Sequence, residues 1–164
     1  MVDDKKVNQV VEARNGFELP LLLFAGFRSI IDAVHRDLAE HGHPETRPAY
    51  GFALQAVGPD GAAISEIGRR LGVSKQAAGK TVDKLETLGY VERAPDPADG
   101  RRTLIRLTPH GVDLLTRSAE GFDRLRAEWA RTLGEDRLTA LERDLRTMAP
   151  GGAFRLDAAG WFTG

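Results

Sequence analysis

The chain contains no cysteine. Disulfides, thiolate zinc sites and thiol redox sensing within it are thereby excluded. Aromatic residues are scarce, at 7%, against 41% hydrophobic and 29% charged positions. A core must therefore come largely from aliphatic side chains, which reads as soluble and helix-rich. No apolar run approaches the roughly 20 residues that cross a bilayer. The opening "MVDDKKVNQVVEARNG" lacks the apolar stretch of a secretion signal. The expected location is the cytoplasm, with no membrane partner. Signatures of catalysis are missing as well: there is no G-x-S-x-G, no H-E-x-x-H and no cysteine nucleophile. Asp96 and Asp99 pair two carboxylates, but within the loop "PDPADGRR" rather than a cleft. The chain is expected to be no enzyme and to need no cofactor.

What is present is unevenly distributed. The net charge is −1, yet residues 64–108 carry nine Lys/Arg against six Asp/Glu. That segment is therefore at +3 and the remainder at −4, a basic middle that suits a polyanionic partner. Periodicity defines the elements around it. Leu23, Phe27, Ile30, Val34 and Leu38 step by threes and fours, predicting an amphipathic helix from about Pro20 to Glu40. "AYGFALQAV" is a short helix closed by the turn "GPDG". "SEIGRRLG" is another, with Ser65 as its expected N-cap and Gly72 as its stop. Ser74 caps the next, "KQAAGKTVDKLETL", which Gly89 ends. "YVERA" and "TLIRLT" have strand character around a Pro/Asp/Gly hairpin loop. From Pro109 to Leu133 a seam of Val112, Leu115, Ala119, Phe122, Leu125, Trp129 and Leu133 predicts a long helix. Gly134 breaks it before a second seam of Leu138, Leu141, Leu145 and Met148.

"SKQAAGKT" is one residue from the phosphate-loop pattern G-x-x-x-x-G-K-[ST]. Ser74 stands where the first glycine should let backbone approach a phosphate. The preceding residues form a polar amphipathic helix rather than a buried strand. A helix-turn-helix explains the same residues better, with Gly72 at the corner of the tight turn "LGVS". On its second helix Ala78, Val82 and Leu85 form the packing face. Ser74, Lys75, Gln76, Gly79, Lys80 and Lys84 lie away from it, offering amides and ammoniums that suit base edges and phosphates. Arg101 and Arg102, beyond the hairpin tip, turn this unit into a winged helix-turn-helix. His41, His43 and His110 could gather a metal with nearby acids. "HGH" lies at a helix end, however, where histidines suit the dipole, and no metal is expected.

The stretch "ISEIGRRLGVSKQAAGKTVDKLETLGYVERAPDPADGRRTLIRLTPHG" resembles the multiple antibiotic resistance regulator (MarR) family of bacterial transcription factors. The resemblance rests on the helix-turn-helix ending in Leu85 and Leu88-Gly89, the segment R-x-x-D-P-x-D-x-R, and L-x-x-LT-x-x-G at Leu104, Leu107, Thr108 and Gly111. It covers roughly residues 49–133. It implies a mainly α fold with a small β wing, in which the winged helix-turn-helix is flanked by dimerisation helices at both ends. The corresponding division is a flexible segment 1–16, a dimerisation helix 17–44, the DNA-binding unit 45–108, the long and C-terminal helices 109–149, and a Gly-rich tail 150–164. The resemblance implies a homodimer on double-stranded DNA, repressing by default, with Phe27, Ile30, Val34, Leu138, Leu141 and Leu145 in the dimer contact. It implies that Asp99 orients Arg101 toward the minor groove. It further implies a small, often aromatic or phenolic, effector bound between the dimer helices and the DNA unit, for which Arg28, His35 and Tyr50 are the candidate contacts. Where the family often has Ser or Thr early in the recognition helix, this chain has Gln76, Ala77 and Ala78. The resemblance thus carries the docking mode and not the base preference. The alternative reading is a helical scaffold or a nonspecific architectural DNA-binding protein.

Overall fold

The computed structural model describes residues 15–148. Residues 1–14 and the tail with Phe154, Trp161 and Phe162 lie outside them. After a 3-10 turn at Asn15–Phe17 come helices α1 (Glu18–Glu40), α2 (Pro48–Val57), α3 (Ile64–Leu71) and α4 (Lys75–Thr87). Strands β1 (Val91–Pro95) and β2 (Thr103–Leu107) lead to α5 (Pro109–Leu133) and α6 (Glu135–Met148). Helix α1 begins two residues before Pro20, which sits in its first turn, where a missing N–H costs nothing. Helix α3 is not capped by Ser65. Its N-cap is Ala63. Ala62 is bridged to Ile105, with Ala62 N donating to Ile105 O at 3.0 Å and Ile105 N returning to Ala62 O at 2.9 Å. That bridge holds the chain extended up to Ala63, so the helix starts two residues earlier than the Ser65 signal suggests.

The core is aliphatic and central to the winged unit. Leu54 of α2, Ile67 of α3, Leu85 of α4, Ile105 of β2 and Leu114 of α5 are each at most 1% exposed. Burying a side chain of this size stabilises the fold by about 2 kcal/mol relative to leaving it in water. The wing is an antiparallel pair in register from Val91↔Leu107 to Pro95↔Thr103. Helix α4 starts cleanly because Ser74 Oγ accepts from Ala77 N at 3.1 Å. Replacing Ser74 by Ala should cost about 1 kcal/mol. A thermal melt should then fall by roughly 2–4 °C for a chain of this size. An unchanged melting temperature would mean that the cap adds nothing beyond packing.

The predicted seam of α5 is not its buried face. Gly111, Leu114 and Gly121 are buried, whereas Val112 and Phe122 are 49% and 41% exposed. The glycines decide this. Val34 of α1 packs against Gly121, where an added Cβ would lie 3.3 Å from its side chain, so the helices meet along the glycine edge. Arg124 closes that contact with a 2.7 Å ion pair to Asp37. Two positions expected in the dimer contact are already buried without a partner. Val34 (2% exposed) and Leu138 (4%) are covered within the single chain. Ile30 is half-buried, and Phe27, Leu141 and Leu145 are 39–41% exposed.

Candidate nucleic-acid interface

The corner between α3 and α4 needs a left-handed residue. Gly72 supplies it at φ 66°, ψ 26°, and Val73 N donates to Gly68 O at 3.0 Å to close the helix end. The turn sets α4 with Ala78, Val82 and Leu85 at most 1% exposed against the core. The opposite face presents Lys75, Gln76, Ala77, Lys80 and Lys84 to solvent. Gly79 is half-buried, over Ile64. Residues 75–87 form one continuous helix, so the GKT triplet makes no phosphate loop and Lys80 stands mid-helix on the open face.

Acidic groups on and near this face are neutralised locally. Arg93 of β1 reaches back to α4, pairing with Asp83 and, at 3.0 Å, with Glu86. Arg69 and Arg70 hold Glu66 at 2.6 and 2.9 Å. The Arg69 hydrogen bond is the main cause holding the Glu66 carboxyl below the usual range. Lys75 and Lys80 have no ion partner among the described residues, whereas Lys84 is paired with Glu45 at 3.0 Å.

The wing tip is shaped by its own acids. Asp96 Oδ1 accepts from Ala98 N at 2.9 Å, and Asp99 Oδ1 accepts from Arg101 N at 3.1 Å. Asp99 therefore fixes the main chain at Arg101 rather than gripping the guanidinium. The Arg101 side chain is exposed with no ion partner among the described residues. Arg102 leans 3.7 Å from Asp96.

A cavity of 210 Å³ lies between α1, α2 and α5, lined by Val34, His35, Arg47, Phe52, Leu115 and Phe122 among others. Of the three candidate effector contacts, only His35 lines it. Burial lowers its pKa, partly opposed by Asp32. Tyr50 is 8% exposed and belongs to the core. Arg28 pairs with Asp32 at 3.5 Å on the outer side of α1. Arg47, in the loop "HPETRPAY", is the lining cation that the sequence reading missed.

Sequence reasoning also missed a ring stack. His43 is wholly buried, not a solvated helix-end histidine. Its Nδ1 lies 3.1 Å from the Tyr90 hydroxyl and its Nε2 lies 2.9 Å from Asp113 Oδ2. His110 stacks on both rings, at centroid distances of 4.5 and 4.7 Å. The bond to His43, then that to Arg117, holds the Asp113 carboxyl below its ordinary range. The partners come from segments 47 and 70 residues apart, which no local pattern could have joined.

The comparisons agree with this architecture. The sequence profile of the MarR family matches residues 52–102. The uncharacterised HTH-type regulator YkoM of Bacillus subtilis is 31% identical over 104 residues, 63% of this chain and 66% of YkoM. The chain thus spans just under two thirds of that relative. The crystal structure of YusO from Bacillus subtilis superposes with a TM-score of 0.63 at 21% identity, covering 88% of this chain and 98% of YusO. A MepR variant of S. aureus bound to an oligodeoxyribonucleotide superposes at 0.57 with 19% identity, covering 81% and 96%. Among the described residues no helix is long and apolar enough to cross a membrane. The helix-turn-helix, the wing motif and these relatives point one way: residues 52–102 match the MarR family, and the fold of the described residues is that of the solved winged-helix structures it resembles.

Proposed function

We propose that this protein is a cytoplasmic transcriptional regulator that binds duplex DNA as a homodimer and represses by occluding a promoter. The observation that carries the reading is the α4 face. Lys75, Gln76 and Lys80 are exposed on a helix whose other side is locked in the core, beside a wing that leaves Arg101 unpaired among the described residues. Gln76 suits adenine, and the lysines suit guanine or phosphate. The chemistry is recognition rather than catalysis. MepR, whose fold this chain shares, has been captured on DNA, and that supports the same partner here.

The dimer reading draws on apolar surface. Leu19, Leu21, Leu22 and Phe24 of α1 are each more than half exposed, and Leu141 and Leu145 of α6 about 40%. Exposed apolar side chains in such number suit burial against a second copy of the chain. The 210 Å³ cavity between the α1/α5 pair and the winged unit is the effector site in this reading. Its apolar walls suit an aromatic ring, with His35 and Arg47 as polar contacts. An effector bound there acts by favouring one spacing of the two lobes.

Fluorescence anisotropy of a labelled duplex against salt tests the DNA reading. Neutralising about six phosphates predicts an affinity loss of about a thousandfold between roughly 50 and 200 mM salt. Retention of the duplex that ignores salt, or no binding at any salt, overturns it.

A further inference from the structure

Among the lysines of α4 only Lys84 is paired within the described residues, and its partner is remote in sequence. Lys84 Nζ lies 3.0 Å from Glu45 Oε2, 39 residues earlier in the loop joining α1 to α2. That loop is held at several points. His43 N donates to Leu38 O at 2.9 Å, and Thr46 Oγ1 donates to His43 O at 2.8 Å. The buried His43 ring is clasped by Tyr90 and Asp113. Glu45 therefore projects from a turn that is anchored on both sides. A carboxylate so placed gives up little backbone freedom on pairing, unlike one on a mobile loop.

The chemistry of the pair is also that of DNA contact. A carboxylate and a phosphate are both oxyanions that accept from an ammonium. Glu45 occupies one donor of Lys84 and places a negative charge where a phosphate oxygen would approach. Lys75 and Lys80 face no such rival within the described residues.

We propose that Glu45 is a positioning residue that competes with DNA phosphate for Lys84, so that a side chain outside the recognition helix sets how much of its charge reaches the duplex. The inference rests on the DNA-binding reading above. It makes Lys84 a conditional contact, in contrast to the open Lys80.

Anisotropy titrations of the full chain on one duplex at several salt concentrations test it, using wild type, Glu45→Gln, Lys84→Gln and the double variant. Lys80→Gln and Arg101→Ala monitor the DNA reading itself. Each exposed ion pair of this kind typically changes an equilibrium by about two- to fivefold. Glu45→Gln should tighten binding by that factor per protomer and steepen the salt dependence. The gain should vanish in the Lys84→Gln background. A merely structural Glu45 would move the melting temperature and not the salt slope. Unchanged or weaker binding by Glu45→Gln overturns the proposal. So does an equal gain with Lys84 removed, which would indicate general charge repulsion. If Lys80→Gln and Arg101→Ala weaken binding while Glu45→Gln does not tighten it, the competition alone fails. If neither weakens it, the DNA reading falls and the competition with it.

Discussion

Gly111→Ala is expected to destabilise the protein severely, although alanine is ordinarily the better helix residue by about 1 kcal/mol. Gly111 lies in the first turn of α5, directly against the chain entering the wing. A Cβ there would sit 2.1 Å from the Tyr90 carbonyl oxygen. That oxygen cannot readily retreat, because it accepts from Thr108 N at 3.1 Å. Thr108 in turn caps α5 through Gly111 N at 3.1 Å and donates its hydroxyl to Gly89 O at 2.6 Å. The methyl must therefore open the junction where α4, β1 and α5 meet. Forced overpacking of this kind costs about 3 kcal/mol or more. Urea denaturation should show a large fall in midpoint, accompanied by loss of DNA binding. Gly79→Ala is the matched control, since its Cβ would meet only Ile64, at 4.0 Å. It should be neutral or mildly stabilising. A Gly111→Ala protein as stable as wild type would contradict the close approach.

The second large effect concerns recognition and not stability. Arg101 makes no ion pair within the described residues, and Asp99 holds its backbone at the wing tip. Its removal should leave the melting temperature unchanged and weaken DNA binding. A specific arginine contact is worth about 1–3 kcal/mol, so two wings in a dimer predict at least about a thirtyfold loss. The salt dependence should become shallower at the same time. Arg102→Ala should do less, because Arg102 already leans on Asp96 at 3.7 Å. Full affinity in Arg101→Ala, at several salt concentrations, would remove the wing from the interface.

The elements most legible in the sequence were those with local causes. Ser74, Gly72 and Gly89 mark helix ends through caps and left-handed backbone. The hairpin loop declares itself by Pro, Asp and Gly. Thr108 and Gly111 stood in the family motif as letters, and the structure supplies their reason, a cap and a contact too close for a side chain. The candidate site was legible for the same cause: α4 has one apolar face, so its other face had to be open.

What escaped the sequence was decided at long range. The α5 seam was read from large apolar residues, yet the face that packs within the chain is the one carrying Gly111 and Gly121, because small residues let α1 and β1 come close. Val34 and Leu138 were placed on a partner surface, but a heptad pattern does not say whether its cover is the same chain or another. His43 gave no local signal of burial, since Tyr90, His110 and Asp113 are all remote from it in sequence. Arg47 replaced Arg28 and Tyr50 beside the cavity because the helix phase of α1 turns Arg28 outward, while α2 sinks Tyr50 into the core.

The central claim is that α4 and the wing read duplex DNA as parts of a symmetric pair. Selection of binding sites from random duplexes by the purified chain, at roughly physiological salt, tests it most directly. The account predicts an enriched inverted repeat whose half-sites lie about ten base pairs apart, one helical turn. A pool that stays random, with only nonspecific retention or none, would contradict it and leave a scaffold or an architectural binder in its place.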